Sequence, residues 1–136
     1  ALVRALREKE IRIPAWFSFS CRDAAHISDG TPIAACAHWL NSVPEAAAIG
    51  LNCTSPQYVE ELIRTIRRET EKPVVVYPNS GESYDASDKT WHGTAEDFAA
   101  ATRRWRAAGA RLIGGCCRTA PRDIAAISAW AKKRAE

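Results

Sequence analysis

The sequence predicts an α/β fold built on a parallel sheet, and two observations support this. Short, mostly apolar segments alternate with helical patterns, in the order helix and then strand and helix four times over. Alternation of this kind is typical of parallel strands joined by right-handed crossover helices. The length of 136 residues fits one domain. Because four strands cannot close a parallel barrel of eight, we expect either an open four-stranded layer or half of a barrel.

The first half of the chain shows a helix, a short strand and a second helix. Apolar residues share one side of a helical pattern at residues 1–9, and an aromatic-rich segment at 15–20 predicts a strand. The mixed polar and small residues of 21–30 indicate a loop on the functional face. Thr31 and Pro32 supply an N-cap and a proline at the first helical position, which predict a helix to about residue 41.

The second half repeats the strand and helix pattern three times. Its strands read as nearly continuous apolar runs, which is typical of strands covered on both faces. The predicted elements are a strand at 46–53, a helix from Ser55 and Pro56 to about 70, a strand at 74–77, a loop through 92, a helix capped by Thr94 and ending near 108, a strand at 111–113, and a last helix that begins at Thr119 and Pro121.

Composition and charge favour a soluble protein that binds neither nucleic acid nor membrane. Nineteen basic against sixteen acidic residues give a net charge of +3, and the basic residues fall mainly on helix faces, where solvation accounts for them. No apolar run approaches the ~20 residues that span a bilayer.

The start of the chain and its cysteines indicate where the protein works. The first residues look like the body of a helix, without an initiator methionine, a cap or a signal peptide, which favours a fragment whose start lies upstream. Five cysteines without a secretory signal favour reduced thiols in the cytoplasm over a disulfide framework.

Three cysteines are predicted at one edge of the sheet. Cys53 ends the second strand, and Cys116 and Cys117 follow the fourth. With one strand between them, about 10 Å of backbone separates the two groups, a gap that side chains converging on a zinc ion can close. Adjacent cysteines in a regular strand point to opposite faces, so the backbone must bend, and Gly114 and Gly115 permit positive φ or a close approach there.

Other candidate ligands are weaker. Asn79, just after the third strand, places an amide where a fourth ligand would be needed. A lone buried cysteine is more often a small hydrophobe than a ligand, and Cys21 and Cys36 are interpreted in that way. The three histidines show no spacing typical of metal ligands.

Three motifs resemble a known family. Residues 49–54 read IGLNCT, residues 74–81 read VVVYPNSG and residues 114–118 read GGCCR. Together they resemble the homocysteine-binding domain of the zinc-dependent homocysteine S-methyltransferases. The segments FSCRD at 19–23 and HISDGT at 26–31 are most similar to the branch that uses S-methylmethionine or S-adenosylmethionine, rather than to the betaine or cobalamin-linked branches.

The resemblance implies a fold, a zinc site and an activity. The family fold is an eight-stranded (β/α) barrel of TIM type, and this chain matches its C-terminal half of four βα units. The zinc ligands would be Cys53, Cys116 and Cys117, and Asn79 would hold the fourth position when substrate is absent or line the pocket. The first half of the barrel, which is missing here, would make most of the contacts to the amino and carboxylate groups of homocysteine.

The implied reaction transfers a methyl group from S-methylmethionine or S-adenosylmethionine to zinc-activated homocysteine, giving methionine as in methionine biosynthesis. No side-chain base is required, because zinc can deprotonate the thiol on binding. Two other functions stay open. One is a structural zinc module with four closed ligands; the other is an inactive half-barrel that pairs with another chain or with itself, since an open parallel sheet exposes an apolar edge.

Overall fold

A computed structural model describes residues 2–133, so Ala1, where the first helix was predicted to begin, lies outside the described residues. The elements in this range are α1 (Leu2–Glu8), β1 (Ala15–Phe19), α2 (Ile33–Asn41), β2 (Ala46–Asn52), α3 (Pro56–Glu69), β3 (Val74–Tyr77), β4 (Ser83–Asp85), β5 (Thr90–His92), α4 (Phe98–Ala108), β6 (Ala110–Ile113) and α5 (Pro121–Lys132). Within the described range, no helix combines the length and the apolar content needed to cross a membrane.

Four strands form a parallel sheet in the order β1, β2, β3, β6. This confirms the predicted parallel α/β class, and it confirms that a single strand, β3, separates β2 from β6. The carboxyl ends of these strands share one edge, because all of them run in the same direction. The residues that follow β2, β3 and β6 are therefore brought together at that edge.

Helices cover one face of the sheet. Helix α2 packs on β2 and α3, α3 on β3 and α4, and α4 on β6 and α5. Ile49 and Leu51 of β2 and Val74 and Val76 of β3 are fully buried on this face. Burying each such side chain stabilises the fold by about 1.5–3 kcal/mol. They meet the apolar stripe of α3, formed by Val59, Leu62, Ile63 and Ile66.

The opposite face of the sheet is open near its edge strands. Trp16 of β1 is 61% exposed and Leu112 of β6 is 51% exposed. Trp16 pairs with Ala48, and Leu112 pairs with Val75. Ala48 and Val75 alternate along their strands with the residues that face the helices, so all four lie on the opposite face. Large apolar side chains are thus presented to solvent on the side of the sheet away from α2 to α5.

Three details differ from the sequence prediction. The segment predicted as a loop up to residue 92 contains the antiparallel hairpin β4–β5, in which the rings of Tyr84 and Trp91 pack with centroids 5.2 Å apart. Helix α4 begins at Phe98 and is capped by Asp97, whose carboxylate accepts bonds from two backbone amides. The predicted cap, Thr94, lies outside the helix, because Glu96 N donates to Ser80 O and holds this segment against the end of β3.

The starts of α2 and α5 also differ by a residue or two. Thr31 does not cap α2, because the helix begins at Ile33 and its N-cap residue is Pro32, which has no side-chain cap bond. Thr119 lies before α5, where its hydroxyl donates to Cys116 O, and the carboxylate of Asp123 accepts a bond from the amide of the N-cap residue, Ala120, instead. Thr31 O and the Thr119 hydroxyl bond to residues three or four positions earlier in the chain, and neither threonine caps its helix.

Candidate metal centre

Three cysteine sulfurs meet at the carboxyl edge of the sheet. The Sγ of Cys117 lies 3.4 Å from that of Cys53 and 3.9 Å from that of Cys116. Cys53 and Cys116 are joined by a disulfide, with their Cα atoms 5.6 Å apart. The structure therefore brings together the three cysteines that the sequence analysis assigned to one site.

The backbone after β6 turns so that two neighbouring side chains converge. Cys116 N donates to Pro78 O at 2.9 Å, and Cys117 O accepts from Ser80 N at 3.0 Å. Arg118 then adopts a left-handed conformation with φ of 66°. These contacts hold the segment against the residues after β3 and replace strand geometry, in which the two thiols would face apart.

Of the two reasons expected for the glycines at this turn, positive φ is wrong, whereas a close approach is found at Gly115, where the neighbour is Thr119. Neither Gly114 nor Gly115 has a positive φ. A Cβ at Gly115 would lie 2.8 Å from the Cβ of Thr119, whereas a Cβ at Gly114 would lie 3.7 Å from the nearest atom, the Cβ of Tyr77. Gly115 thus lets Thr119 pack closely, and the Thr119 hydroxyl in turn donates to Cys116 O at 2.7 Å.

Cys53 is held in a left-handed conformation with φ of 45°, which costs a non-glycine residue about 1–2 kcal/mol. Its N–H donates to Tyr77 O at 3.1 Å. The next residue, Thr54, is fully buried, and its hydroxyl accepts from Cys21 N at 2.9 Å and donates to Asn52 O at 3.1 Å. Surrounding hydrogen bonds therefore fix this conformation.

The donor set fits zinc. Sulfur ligands from Cys53, Cys116 and Cys117 all lie within 4.8 Å of one another, and zinc binds three protein ligands in catalytic sites and four in structural ones. Thiolate rather than disulfide sulfur is the zinc ligand, so reduction of the bond between Cys53 and Cys116 must precede binding.

Asn79 lies beside the three cysteines, and both its amide nitrogen and its amide oxygen form hydrogen bonds. Its Nδ2 donates to Cys53 O at 3.5 Å, and its Oδ1 accepts from Gly81 N at 2.9 Å. An amide oxygen has two lone pairs, so Oδ1 retains one acceptor position beyond the Gly81 bond. Asn79 thus lies next to Cys53, and its amide oxygen already accepts one backbone hydrogen bond.

A charged pair flanks the cysteines. The guanidinium of Arg118 donates to both carboxylate oxygens of Glu82, at 3.1 and 3.2 Å, and lies 5.9 Å from the centre of the Trp91 ring. Hydrogen bonds from Arg118 and Ser80 lower the pKa of the Glu82 carboxyl. The hairpin carrying Trp91 is thereby attached to the turn that carries Cys117.

Cys21 and Cys36 behave as the sequence predicted. Cys21 is buried in the core, and burial raises the pKa of its thiol to about 11, so it stays protonated at neutral pH. Cys36 packs against the same core from α2. Neither belongs to a group of metal-ligating side chains within the described part of the chain.

The sequence analysis missed one cluster of polar side chains, on the β4–β5 hairpin. Ligand atoms of Asp85, Asp88 and His92 lie within 4.8 Å of one another, and all three residues are exposed. The pKa of Asp88 is lowered, chiefly by hydrogen bonds from Thr90. The predicted loop hid this cluster, because only the hairpin pairing of Asp85 with Thr90 brings its two ends together.

Comparison with known proteins identifies relatives over nearly the whole chain. A family model described as homocysteine S-methyltransferase matches residues 1–131. Homocysteine S-methyltransferase YbgG of Bacillus subtilis (strain 168) is 52% identical over 134 residues, which cover 97% of this chain and 42% of YbgG. Homocysteine S-methyltransferase of Escherichia coli (strain K12) is 49% identical over 121 residues, which cover 87% of this chain and 39% of the relative.

Solved structures give the same result. The metallated form of the homocysteine methyltransferase MmuM from Escherichia coli superposes with a TM-score of 0.78 at 40% identity, covering 95% of this chain and 39% of MmuM. The oxidized form of the same enzyme superposes with a TM-score of 0.76 at 40% identity, over 95% of this chain and 40% of that one. The chain thus spans about two fifths of the length of these relatives.

Proposed function

The chain belongs to the homocysteine S-methyltransferase family, and from this we propose that it supplies the metal-binding part of an enzyme that methylates homocysteine. The observation that carries the proposal is the convergence of Cys53, Cys116 and Cys117 at the carboxyl edge of the sheet. Active sites of parallel α/β folds are built at this edge.

The proposed metal is zinc, held by these three cysteines as thiolates. When bound, it would take the homocysteine sulfur at an open fourth position and lower the pKa of that thiol. The thiolates of the chain make the site electron-rich, and no side-chain base is needed. The proposed donor is a sulfonium compound, S-methylmethionine or S-adenosylmethionine, whose methyl group is already activated, so the enzyme must chiefly align donor and acceptor.

Asn79 is proposed to line the fourth position without being an obligate ligand. Its amide is used by Cys53 O and by Gly81 N, and a neutral amide oxygen competes poorly with a thiolate for zinc. This favours an enzyme over a structural zinc module, which would need a fourth permanent ligand. The described residues place three sulfurs in the cluster and no fourth cysteine or histidine.

We further propose that the open face of the sheet packs against four additional βα units, completing a (β/α) barrel of TIM type. Trp16 and Leu112 on that face are more than half exposed, and the interior of such a barrel is filled by side chains from all its strands. The additional units, in the same chain or in another, would carry most contacts to the amino and carboxylate groups of homocysteine. The complete enzyme would work in the reducing cytoplasm, which keeps the ligand cysteines reduced.

Metal content tests the proposed site. The reduced chain, made alone or fused behind the N-terminal half of YbgG, is expected to bind about one zinc per molecule. Replacing Cys53, Cys116 or Cys117 by Ala should remove most of that zinc, because each thiolate is a large part of the affinity. Cys36→Ala is the matched control and should retain it. Full zinc content in both Cys116→Ala and Cys117→Ala would rule out the site.

Methyl transfer tests the activity separately. The fusion, loaded with zinc, should convert homocysteine to methionine with S-methylmethionine or S-adenosylmethionine as donor, and a comparison of the two rates would identify the donor. The chain alone should bind zinc but methylate little. A fusion that binds zinc tightly but transfers no methyl group from either donor would contradict the activity and leave the metal site intact.

A further inference from the structure

Cys53 has a left-handed backbone conformation, which other groups must stabilise. A φ of 45° is unfavourable for cysteine, since only glycine, and to a lesser degree asparagine and aspartate, adopt this region readily. Left to itself, the backbone after β2 would relax toward an extended conformation and turn the Cys53 thiol away. Some neighbouring group must therefore hold the peptide units on both sides of this residue.

The side chain of Thr54 occupies the right place to do so. Its hydroxyl donates to Asn52 O at 3.1 Å and accepts from Cys21 N at 2.9 Å. The first bond reaches across Cys53 to the peptide unit that precedes it, and the second anchors the hydroxyl to the chain that follows β1. Thr54 is 0% exposed, so water does not compete for these bonds.

The other contacts of Cys53 are weaker or less specific. The bond from Asn79 Nδ2 to Cys53 O measures 3.5 Å, which is near the limit for a hydrogen bond. The bond from Cys53 N to Tyr77 O continues the backbone hydrogen bonds between β2 and β3, so it does not depend on the identity of any side chain. Both hydrogen bonds of the Thr54 hydroxyl, at 2.9 and 3.1 Å, are shorter than the bond from Asn79 Nδ2 to Cys53 O.

We propose that Thr54 is a positioning residue for the metal site, whose hydroxyl fixes the backbone of Cys53 so that its thiolate points at Cys116 and Cys117. The inference rests on the proposed function, since it assigns Thr54 to the affinity and geometry of that metal site. Buried groups that orient metal ligands typically contribute about 10- to 100-fold to metal affinity.

Two pairs of variants isolate the hydroxyl. Wild type and Thr54→Val differ in the hydroxyl at nearly constant volume, as do Thr54→Ser and Thr54→Ala at a smaller volume. Thr102→Val is the matched control, because Thr102 is equally buried in α4 but its hydroxyl has no hydrogen-bond partner within the described residues. Zinc affinity would be measured on the reduced protein by competition with a chelator, and stability by urea unfolding without metal.

The expected result is a loss of about tenfold in zinc affinity in Thr54→Val and Thr54→Ala, with near wild-type affinity in Thr54→Ser and Thr102→Val. Rescue by serine separates positioning from packing, because serine restores the hydroxyl without the methyl group. The Co²⁺-substituted protein offers a second measurement, since its thiolate charge-transfer and ligand-field bands report the geometry of the sulfurs. These bands should shift in Thr54→Val and not in Thr102→Val.

The possible failures are distinct. If wild type binds no zinc, the proposed metal site itself is wrong. If wild type binds zinc and Thr54→Val binds it as tightly as Thr102→Val does, with an unchanged cobalt spectrum, the positioning role is wrong. If Thr54→Val and Thr54→Ala both fail to fold while Thr54→Ser folds and binds zinc, the hydroxyl serves folding rather than positioning, and the inference is overturned.

Discussion

The two glycines before the cysteine pair should respond differently to the same substitution. Alanine at Gly115 would place its Cβ 2.8 Å from the Cβ and 2.9 Å from the Cγ2 of Thr119, closer than such atoms approach in folded proteins. Thr119 is not free to rotate away, because its hydroxyl donates to Cys116 O at 2.7 Å. Relief of the clash must therefore break this bond or displace the backbone at Cys116.

The magnitude follows from these two costs. Losing the hydrogen bond costs about 0.5–1.5 kcal/mol, and forcing Thr119 off its rotamer costs a similar amount, about 0.5–1.5 kcal/mol. Gly115→Ala should thus lower the free energy of unfolding by about 1–3 kcal/mol. Because the displaced backbone carries Cys116, zinc affinity should fall as well, by about tenfold, as for other groups that orient a metal ligand.

Gly114→Ala is the control, since its Cβ would make an ordinary contact at 3.7 Å with Tyr77. At a position whose φ alanine tolerates, replacing glycine stabilises a protein by about 0.4–1 kcal/mol. Urea unfolding followed by tryptophan fluorescence would measure stability, and competition with a chelator would measure zinc affinity. Equal stability and equal zinc affinity in the two variants would refute the reasoning that only Gly115 is sterically required.

Two further predictions concern α1 and Asn79. The Arg7 guanidinium lowers the pKa of the Glu45 carboxyl to about 2, so the stabilisation from this pair is present above the ordinary pKa of a glutamate and is lost as pH falls toward 2. The protection factors for amide hydrogen exchange in α1, taken relative to the intrinsic exchange rate at each pH, should therefore fall as the pH is lowered from about 4.5 to about 2 in wild type, and Glu45→Gln should abolish this fall; a variant that keeps the wild-type profile would contradict the pairing. Asn79→Ala should retain zinc while weakening homocysteine binding to the fusion, and a loss of zinc as complete as in the cysteine variants would show that Asn79 is an obligate ligand.

The features that could be predicted from the sequence are those set by apolar runs and strand direction. The runs at β2 and β3 are long enough to identify buried parallel strands, and parallel strands place Cys53 and Cys116 at one edge whatever the side-chain details. The order of strands then followed from their order along the chain. The convergence of the sulfurs is thus a consequence of topology.

The features that could not be predicted depend on contacts between distant segments. The hairpin β4–β5 is held by a ring pair and by short-range polar bonds rather than by an apolar run, and β4 is exposed throughout. The sequence near Cys53 does not predict its positive φ, because the Thr54 hydroxyl beside it is anchored by Cys21, which lies 33 residues earlier in the chain. The start of α4 moved from Thr94 to Asp97 because a tertiary bond to Ser80 O took precedence over a local cap.

The proposed metal binding and the proposed methyl transfer depend on different parts of the fold. The three sulfurs lie within the described residues, as do Thr54, whose hydroxyl bonds to Asn52 O, and Gly115, which leaves room for Thr119. The open face of the sheet, in contrast, presents Trp16 and Leu112 to solvent. Metal affinity should therefore depend on this chain alone, whereas turnover should depend on what covers the open face. A variant that weakens zinc binding should do so equally in the isolated chain and in the fusion with the N-terminal half of YbgG.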